Sequence, residues 1–219
     1  MTDEKRRIHI TGIGHAAQIP DTVVLSLTLT ASNAEYSAAM KISAQQIEML
    51  REAIVEAGFA GDDLKTTNFN VLTIYEDEEY REGNTKRSRQ VFGGFECRHD
   101  LTLTFDFDND KLNRALDTVA SCLATPKISV AFTIKDTAAL NDKLLESAAK
   151  DALRKAKILC AASGVKLGKL IDINYSHDAY NADNTIVLGA CAPVEQNAFD
   201  LAPEEIIATE TVNFLWEIE

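Results

Sequence analysis

The chain has 219 residues, enough for one domain with a sizeable core or for two small lobes. Apolar residues make up 46% and charged ones 26%, and 22 basic against 34 acidic side chains leave a net charge of −12. Such a surface repels nucleic-acid phosphates and anionic membranes, and no run reaches the eighteen or so apolar residues of a membrane-spanning helix.

The first patterned stretch reads RRIHITGIGHAAQIPDTVVLSLTLT, residues 6–30. A strand starts at Ile8, and Gly12 and Gly14 interrupt it. Two glycines followed by a small residue resemble a phosphate-binding loop, but such a loop opens directly into a helix whose N-terminus meets the phosphates. Here His15 to Ile19 lead to Pro20 and Asp21, Pro20 favours extended backbone at Ile19, and a second strand follows. The glycines therefore predict a bend or bulge beside a close neighbour. The charged start MTDEKRR has no apolar segment of leader length behind it, which predicts a cytoplasmic protein.

Val23, Leu25, Leu27 and Leu29 alternate with Val24, Ser26, Thr28 and Thr30, the period of a strand with one apolar face. Ser32 with Glu35 predicts a capping box and a helix whose stripe is Tyr36, Met40, Ile47, Leu50, Ile54 and Ala57, closed at Gly58. A strand over 62–75 and a return strand over 91–107 enclose EDEEYREGNTKRSRQ, residues 76–90, which reads as the tip of a long hairpin. Its acidic block Glu76 to Glu79 faces the basic run Lys86-Arg87-Ser88-Arg89, an arrangement suited to cross-strand charge pairing.

Asn109-Asp110 predicts the cap of a short helix with Leu112, Leu116, Val119 and Leu123 on its stripe. After Pro126 comes a strand through Ile128, Val130, Phe132 and Ile134. A long helix starts after Asp136, with Leu145, Ala149, Ala152, Ala156 and Leu159 stepping by three and four beside Leu153 and Cys160, and ends at Gly164. A strand over 170–175, an irregular stretch over 176–205 and a closing strand over 206–218 complete the chain. The predicted class is α+β, order β-β-α-β-β-α-β-α-β-β, mainly antiparallel with about three helices packed on the sheet. Residues 1–219 read as a single domain, with a division into two lobes near residue 108 left open.

Chemistry is sparse. Cys97, Cys122, Cys160 and Cys191 form no C-x-x-C pair, and four spaced thiols fit a reducing compartment. Cys97 and His99 share a strand face and could be half a metal site or a thiol–imidazole pair, but no further residues have ligand spacing. The glycines break the register between His9 and His15, and His177-Asp178 falls in the irregular stretch. No G-x-S-x-G or H-E-x-x-H occurs. No cofactor or metal is predicted. A small-molecule- or nucleotide-binding enzyme using the Gly12–Gly14 turn or the Cys97/His99 pair, and a redox role through the thiols, stay open as alternatives.

The arrangement as a whole resembles the SIMPL domain family. The carriers are Ile10 to Ala16 with Ile19-Pro20-Asp21; Leu50, Gly58 and Asp63-Leu64-Lys65-Thr66; Tyr75, Gly94-Phe95 and Leu101-Thr102-Leu103; Ala148, Ala152, Ala156, Gly164, Leu167 and Gly168; and Pro203 to Ile206. The resemblance makes Gly12, Gly14, Pro20, Asp21, Gly58, Gly94, Gly164 and Gly168 structural markers and implies no catalytic residues. It implies a non-enzymatic module that self-assembles or binds a protein partner, since some members form large rings, and it brings a link to stress response. Many bacterial members carry a signal peptide, and none is visible here.

Overall fold

The computed structural model describes residues 6–82, 85–175, 184–187 and 201–219. Along the chain the elements are β1 (Arg7–Gln18), β2 (Thr22–Asn33), α1 (Tyr36–Glu56), a 3-10 turn (Gly61–Asp63), β3 (Leu64–Glu82), β4 (Thr85–Asp106), α2 (Asn109–Ser121), β5 (Lys127–Thr133), α3 (Thr137–Ala162), β6 (Leu167–Asn174), β7 (Asn184–Val187) and β8 (Ile206–Ile218). The fold is α+β in the expected order, with the short β7 added. His177, Asp178, Cys191, the Gly83-Asn84 tip and most of the irregular 176–205 stretch lie outside the described residues. The chain divides into two compact units, one drawn from Met1–Asp21, Thr133–Asn184 and Pro203–Glu219, the other from Thr22–Phe132 and Thr185–Ala202.

In the first unit β1, β8 and β6 form a sheet in the order β1-β8-β6, with both pairings antiparallel. Ile206, Ala208, Val212, Phe214 and Trp216 are buried alternately along β8, and the Phe214 and Trp216 rings stack at 5.3 Å. Helix α3 lies over β1 and β8. The Asp136 side chain caps it by accepting the Ala139 N–H at 2.9 Å. Its buried residues are Leu140, Leu144, Ala148, Ala152, Ala156 and Cys160. This stripe steps by four throughout, so it winds about 40° per step around the helix; it shares Ala152, Ala156 and Cys160 with the expected stripe, which also ran through Leu145, Ala149 and Leu159. Leu159 is 49% exposed. Alanine at the centre of the stripe lets the helix axis approach the sheet closely.

The second unit holds a five-stranded sheet, order β3-β4-β2-β5-β7. β2 and β4 pair antiparallel from Thr22↔Asp106 to Asn33↔Phe95. Val23, Leu25, Leu27 and Leu29 meet Leu101 and Leu103, and are covered by Leu50 and Ile54 of α1 and Leu112, Leu116 and Val119 of α2. Leu123, expected on the α2 stripe, lies past the helix end and is 87% exposed. The Ser32 capping box does not form: α1 starts after Glu35 without a side-chain cap, and Asn33 Oδ1 accepts the Glu35 N–H at 3.0 Å instead. The cap of α2 is Asp108, whose carboxylate accepts the Lys111 N–H at 3.0 Å, one position before the expected Asn109.

Candidate functional site

Gly12 and Gly14 do not bend β1. The strand runs unbroken from Arg7 to Gln18, paired residue for residue with β8 from Glu217 to Ile206. His9 and His15 therefore share one exposed face in register, contrary to the sequence expectation. The expected close neighbour is present. A Cβ on Gly12 would collide with the Ala148 carbonyl oxygen and sit 2.8 Å from the Ala152 Cβ, and one on Gly14 would collide with the Leu144 carbonyl oxygen. The glycines form a seam into which α3 settles, and the mid-strand geometry offers no phosphate cradle.

The same helix seals much of β1's outer edge. Odd-numbered residues of β1 turn their polar backbone groups away from β8. Ser147 Oγ accepts the His15 N–H at 3.1 Å, Asp151 Oδ2 accepts the Ile13 N–H at 3.0 Å, and Lys155 Nζ donates to the Thr11 carbonyl at 3.1 Å. Asp151 also takes Lys155 Nζ and Arg154 Nη2, each at 2.6 Å. These donors, the Lys155 ammonium first, hold its carboxyl well below the usual carboxylate range. Pro20 is buried, and Asp21 anchors the end of the β1 segment through its Oδ1, which accepts the Lys135 N–H at 2.8 Å. Gly58 and Gly164 follow α1 and α3 with positive φ, and Gly168 lies against Glu217 of β8.

Cys97 and His99 find different partners. The Cys97 thiol is fully buried and directed at Met40 Sδ, 3.7 Å away, and burial pushes its pKa up. His99 Nε2 lies 2.9 Å from Thr66 Oγ1, its ring meets Phe69 edge-on at 5.1 Å, and burial lowers its pKa. A buried, protonated thiol with no hydrogen bond to the imidazole is a poor nucleophile. Among the described residues no three His, Cys, Asp or Glu side chains are grouped to hold a metal ion.

The β3–β4 hairpin is largely exposed among the described residues. Past Phe95, β4 no longer pairs with β2, yet β3 and β4 stay paired from Tyr75↔Phe92 to the hairpin end. The charged blocks read as a tip are thus strand. Arg89 bonds Glu78 at 2.7 Å and lies over the Tyr80 ring, and Lys86 Nζ lies 3.6 Å from Glu79. The ribbon begins at a bulge between Ile74 and Tyr75, opposite Gly93-Gly94, where Gly94 has φ +129°. At this root four aromatic side chains gather. Phe95 makes edge contacts with Tyr36 at 5.6 Å and Phe92 at 5.3 Å, and Tyr75 pairs across from Phe92. Tyr36, Tyr75 and Phe92 are 52, 60 and 54% exposed. Sequence reading missed this platform: Tyr36 looked like the first residue of a core stripe, and Phe92 lies beside a basic run.

Two curated relatives are similar to this chain in sequence. The chain is 24% identical over 174 residues to the 26 kDa periplasmic immunogenic protein of Brucella melitensis biotype 1, covering 80% of this chain and 68% of that protein. It is 23% identical, with the same coverage, to the protein of that name from Brucella abortus strain S19. Both are named as periplasmic, which overturns the cytoplasmic expectation. That expectation rested on the absence of a visible leader and on spaced thiols. A leader is removed from a mature chain, and the buried Cys97 and Cys160 are shielded from oxidants without a reducing compartment. No helix among the described residues is long and apolar enough to cross a membrane. The family described as SIMPL, protein of unknown function (DUF541), matches residues 8–216, and the chain belongs to it.

Proposed function

We propose that this protein is a non-enzymatic interaction module of the periplasm that self-associates through the root of its β3–β4 ribbon. The observation that carries the reading is the platform of Tyr36, Tyr75, Phe92 and Phe95 on a two-stranded ribbon. Isolated two-stranded ribbons are marginally stable in water, and exposed aromatic clusters on them gain by docking. Among the described residues the ribbon's outer strand also has an unpaired edge, and Glu78 with Arg89 and Glu79 with Lys86 form cross-strand ion pairs beside it. The periplasmic setting is taken from the names of the two relatives. The buried Cys97 thiol bonds Met40 and His99 bonds Thr66, which speaks against a thiol–imidazole enzyme.

Light scattering on a sizing column tests the reading. The chain is expected to elute as a multiple of 24.0 kDa, and the double variant Tyr75→Ser/Phe92→Ser as a folded monomer. A wild-type chain that stays at 24.0 kDa at high concentration overturns self-association. An assembly unchanged in the double variant overturns the choice of surface.

A further inference from the structure

The side-chain ladder from α3 stops before β1 does. Ser147, Asp151 and Lys155 serve His15, Ile13 and Thr11 at successive steps of four along the helix. The next step is Leu159, which has no polar atom to offer. The outer edge of β1 at His9 and Arg7 therefore receives no cap from the helix. At this place lies a pocket of about 480 Å³ lined by His9, Ile10, Thr11, Arg154, Lys155, Ile158 and Leu159. Ile158 and Leu159, 55 and 49% exposed, lie there beside a strand edge that no other described strand pairs.

We propose that this groove binds an extended peptide segment of another protein, which adds to the edge of β1 at Arg7–His9, inserts an apolar side chain against Ile158 and Leu159, and brings a carboxylate to Arg154 and Lys155. An open strand edge beside a helix, with a pocket for alternate side chains, is the geometry of peptide recognition by strand addition. Main-chain hydrogen bonds to the edge supply register, and the apolar pocket supplies selectivity. Charge selects the occupant. The chain carries −12 overall, yet Arg154 and Lys155 line this groove, with Asp151 as the carboxylate bonded to both. Asp151 engages one Arg154 nitrogen and the Lys155 ammonium, which leaves the remaining guanidinium donors for a second carboxylate. The inference concerns a surface separate from the aromatic platform and stands without it.

The test is fluorescence anisotropy on the full chain. The probe is a fluorescein-labelled hexapeptide of alternating threonine and valine ending in leucine with a free carboxylate. Controls are its C-terminal amide and a version N-methylated at alternate amides. A saturable rise below about 1 mM is expected for the first probe. It should weaken by about tenfold or more in Leu159→Glu, which removes apolar contact at an already exposed site. Weakening is also expected with the amide probe and in Arg154→Gln, and loss with the N-methylated probe. Tyr75→Ser/Phe92→Ser should bind the probe as the wild type does. No saturable rise below that concentration, or equal binding by Leu159→Glu, overturns the proposal. So does a Leu159→Glu variant that fails to self-associate while the peptide binds neither protein, since that assigns the groove to a second copy of the chain.

Discussion

The carboxylate of Asp151 on α3 accepts the backbone N–H of Ile13 on β1 at 3.0 Å, and two cations on the same helix hold that carboxylate in its charged form. One side chain thus links the helix's own ion pairs to the edge of a strand far away in sequence. Strand edges invite pairing with other chains, and here the protecting groups come from the helix that packs on the same strand.

Asp151→Ala should lower the melting temperature and promote aggregation through the exposed β1 edge. The pH dependence follows from the direction of the shift. The folded carboxyl titrates well below its unfolded value of about 4. Its contribution to stability is therefore complete above that value and declines as the pH falls toward the folded one. The melting-temperature gap between wild type and variant should be largest near neutrality and narrow below about pH 4. Thermal melts at neutral and acidic pH check this; an equal gap at both would show that the charge is not what matters.

Gly12→Ala should be far more damaging than its size suggests. The added methyl meets the Ala148 carbonyl oxygen, which belongs to helix backbone and cannot rotate aside, and Ala152 blocks the other direction. Overpacking a tight core costs about 1–3 kcal/mol, and a backbone obstacle puts this substitution at the upper end or beyond. Gly164→Ala is the control. Its φ of +71° is strained for alanine, but nothing lies within contact of the new methyl, so about 1–2 kcal/mol is expected. Urea midpoints of the two variants give the comparison.

The glycine seam also shows why some of this molecule was legible and some was not. The closing strand could be placed from alternation alone, because Val212, Phe214 and Trp216 contrast with Thr211, Asn213 and Glu217. The Asp136 cap was equally plain. Gly12 and Gly14 could be tied to a close neighbour, but not to an unbroken strand, since a glycine that makes room for a helix and one that kinks a chain look alike in sequence. The α3 stripe was placed at Ala152, Ala156 and Cys160 but missed toward its start, because alanines occur on several faces and leave little contrast to fix the phase. The ribbon was read as a tip because its faces are both polar. There the strand is held by cross-strand pairs such as Glu78 and Arg89, which periodicity does not register. The aromatic platform needed the register of β3 on β4 to bring Tyr75 opposite Phe92.

Cys97 should resist modification. Its side chain is enclosed by Ala31, Ala39, Met40, Val71 and Phe95, and burial raises the thiol pKa, so little thiolate exists at neutral pH. Under native conditions iodoacetamide should label the half-buried Cys122 well before Cys97 or the buried Cys160. Mass spectrometry of tryptic fragments reads the order. Rapid labelling of Cys97 in the folded chain would restore the thiol as a chemical candidate.

His99 predicts a pH effect of the same sign as that of Asp151, in a higher pH window. Its folded pKa is lowered, by burial first, against a smaller opposing pull from Asp100. Protonation is therefore easier in the unfolded chain, and stability should fall as the pH drops through the unfolded value of about 6.5. His99→Gln removes that titration while keeping a polar partner for Thr66. The variant should lose less stability than wild type between pH 7.5 and pH 5.5, windows chosen about one unit either side of the unfolded value. Parallel slopes for the two proteins in denaturant titrations would remove His99 as the source.

Gly94 decides where the aromatic platform points. Its φ of +129° suits glycine, and a Cβ there would lie 2.6 Å from the Asn33 carbonyl oxygen, at the position where β4 leaves β2. The bulge at this point, where Gly93 of β4 is the extra residue opposite Ile74 and Tyr75, sets the direction in which Tyr75 and Phe92 continue. Gly94→Val should weaken folding through strain and contact together. It should also displace the ribbon and reduce self-association, although every aromatic residue of the platform is retained. Gly58→Ala has positive φ but open space around it, so it should lose some stability and keep its assembly. Light scattering at matched folded fractions, with circular dichroism setting that fraction, separates the two effects. A folded Gly94→Val that assembles as wild type would show that the bulge does not position the docking surface.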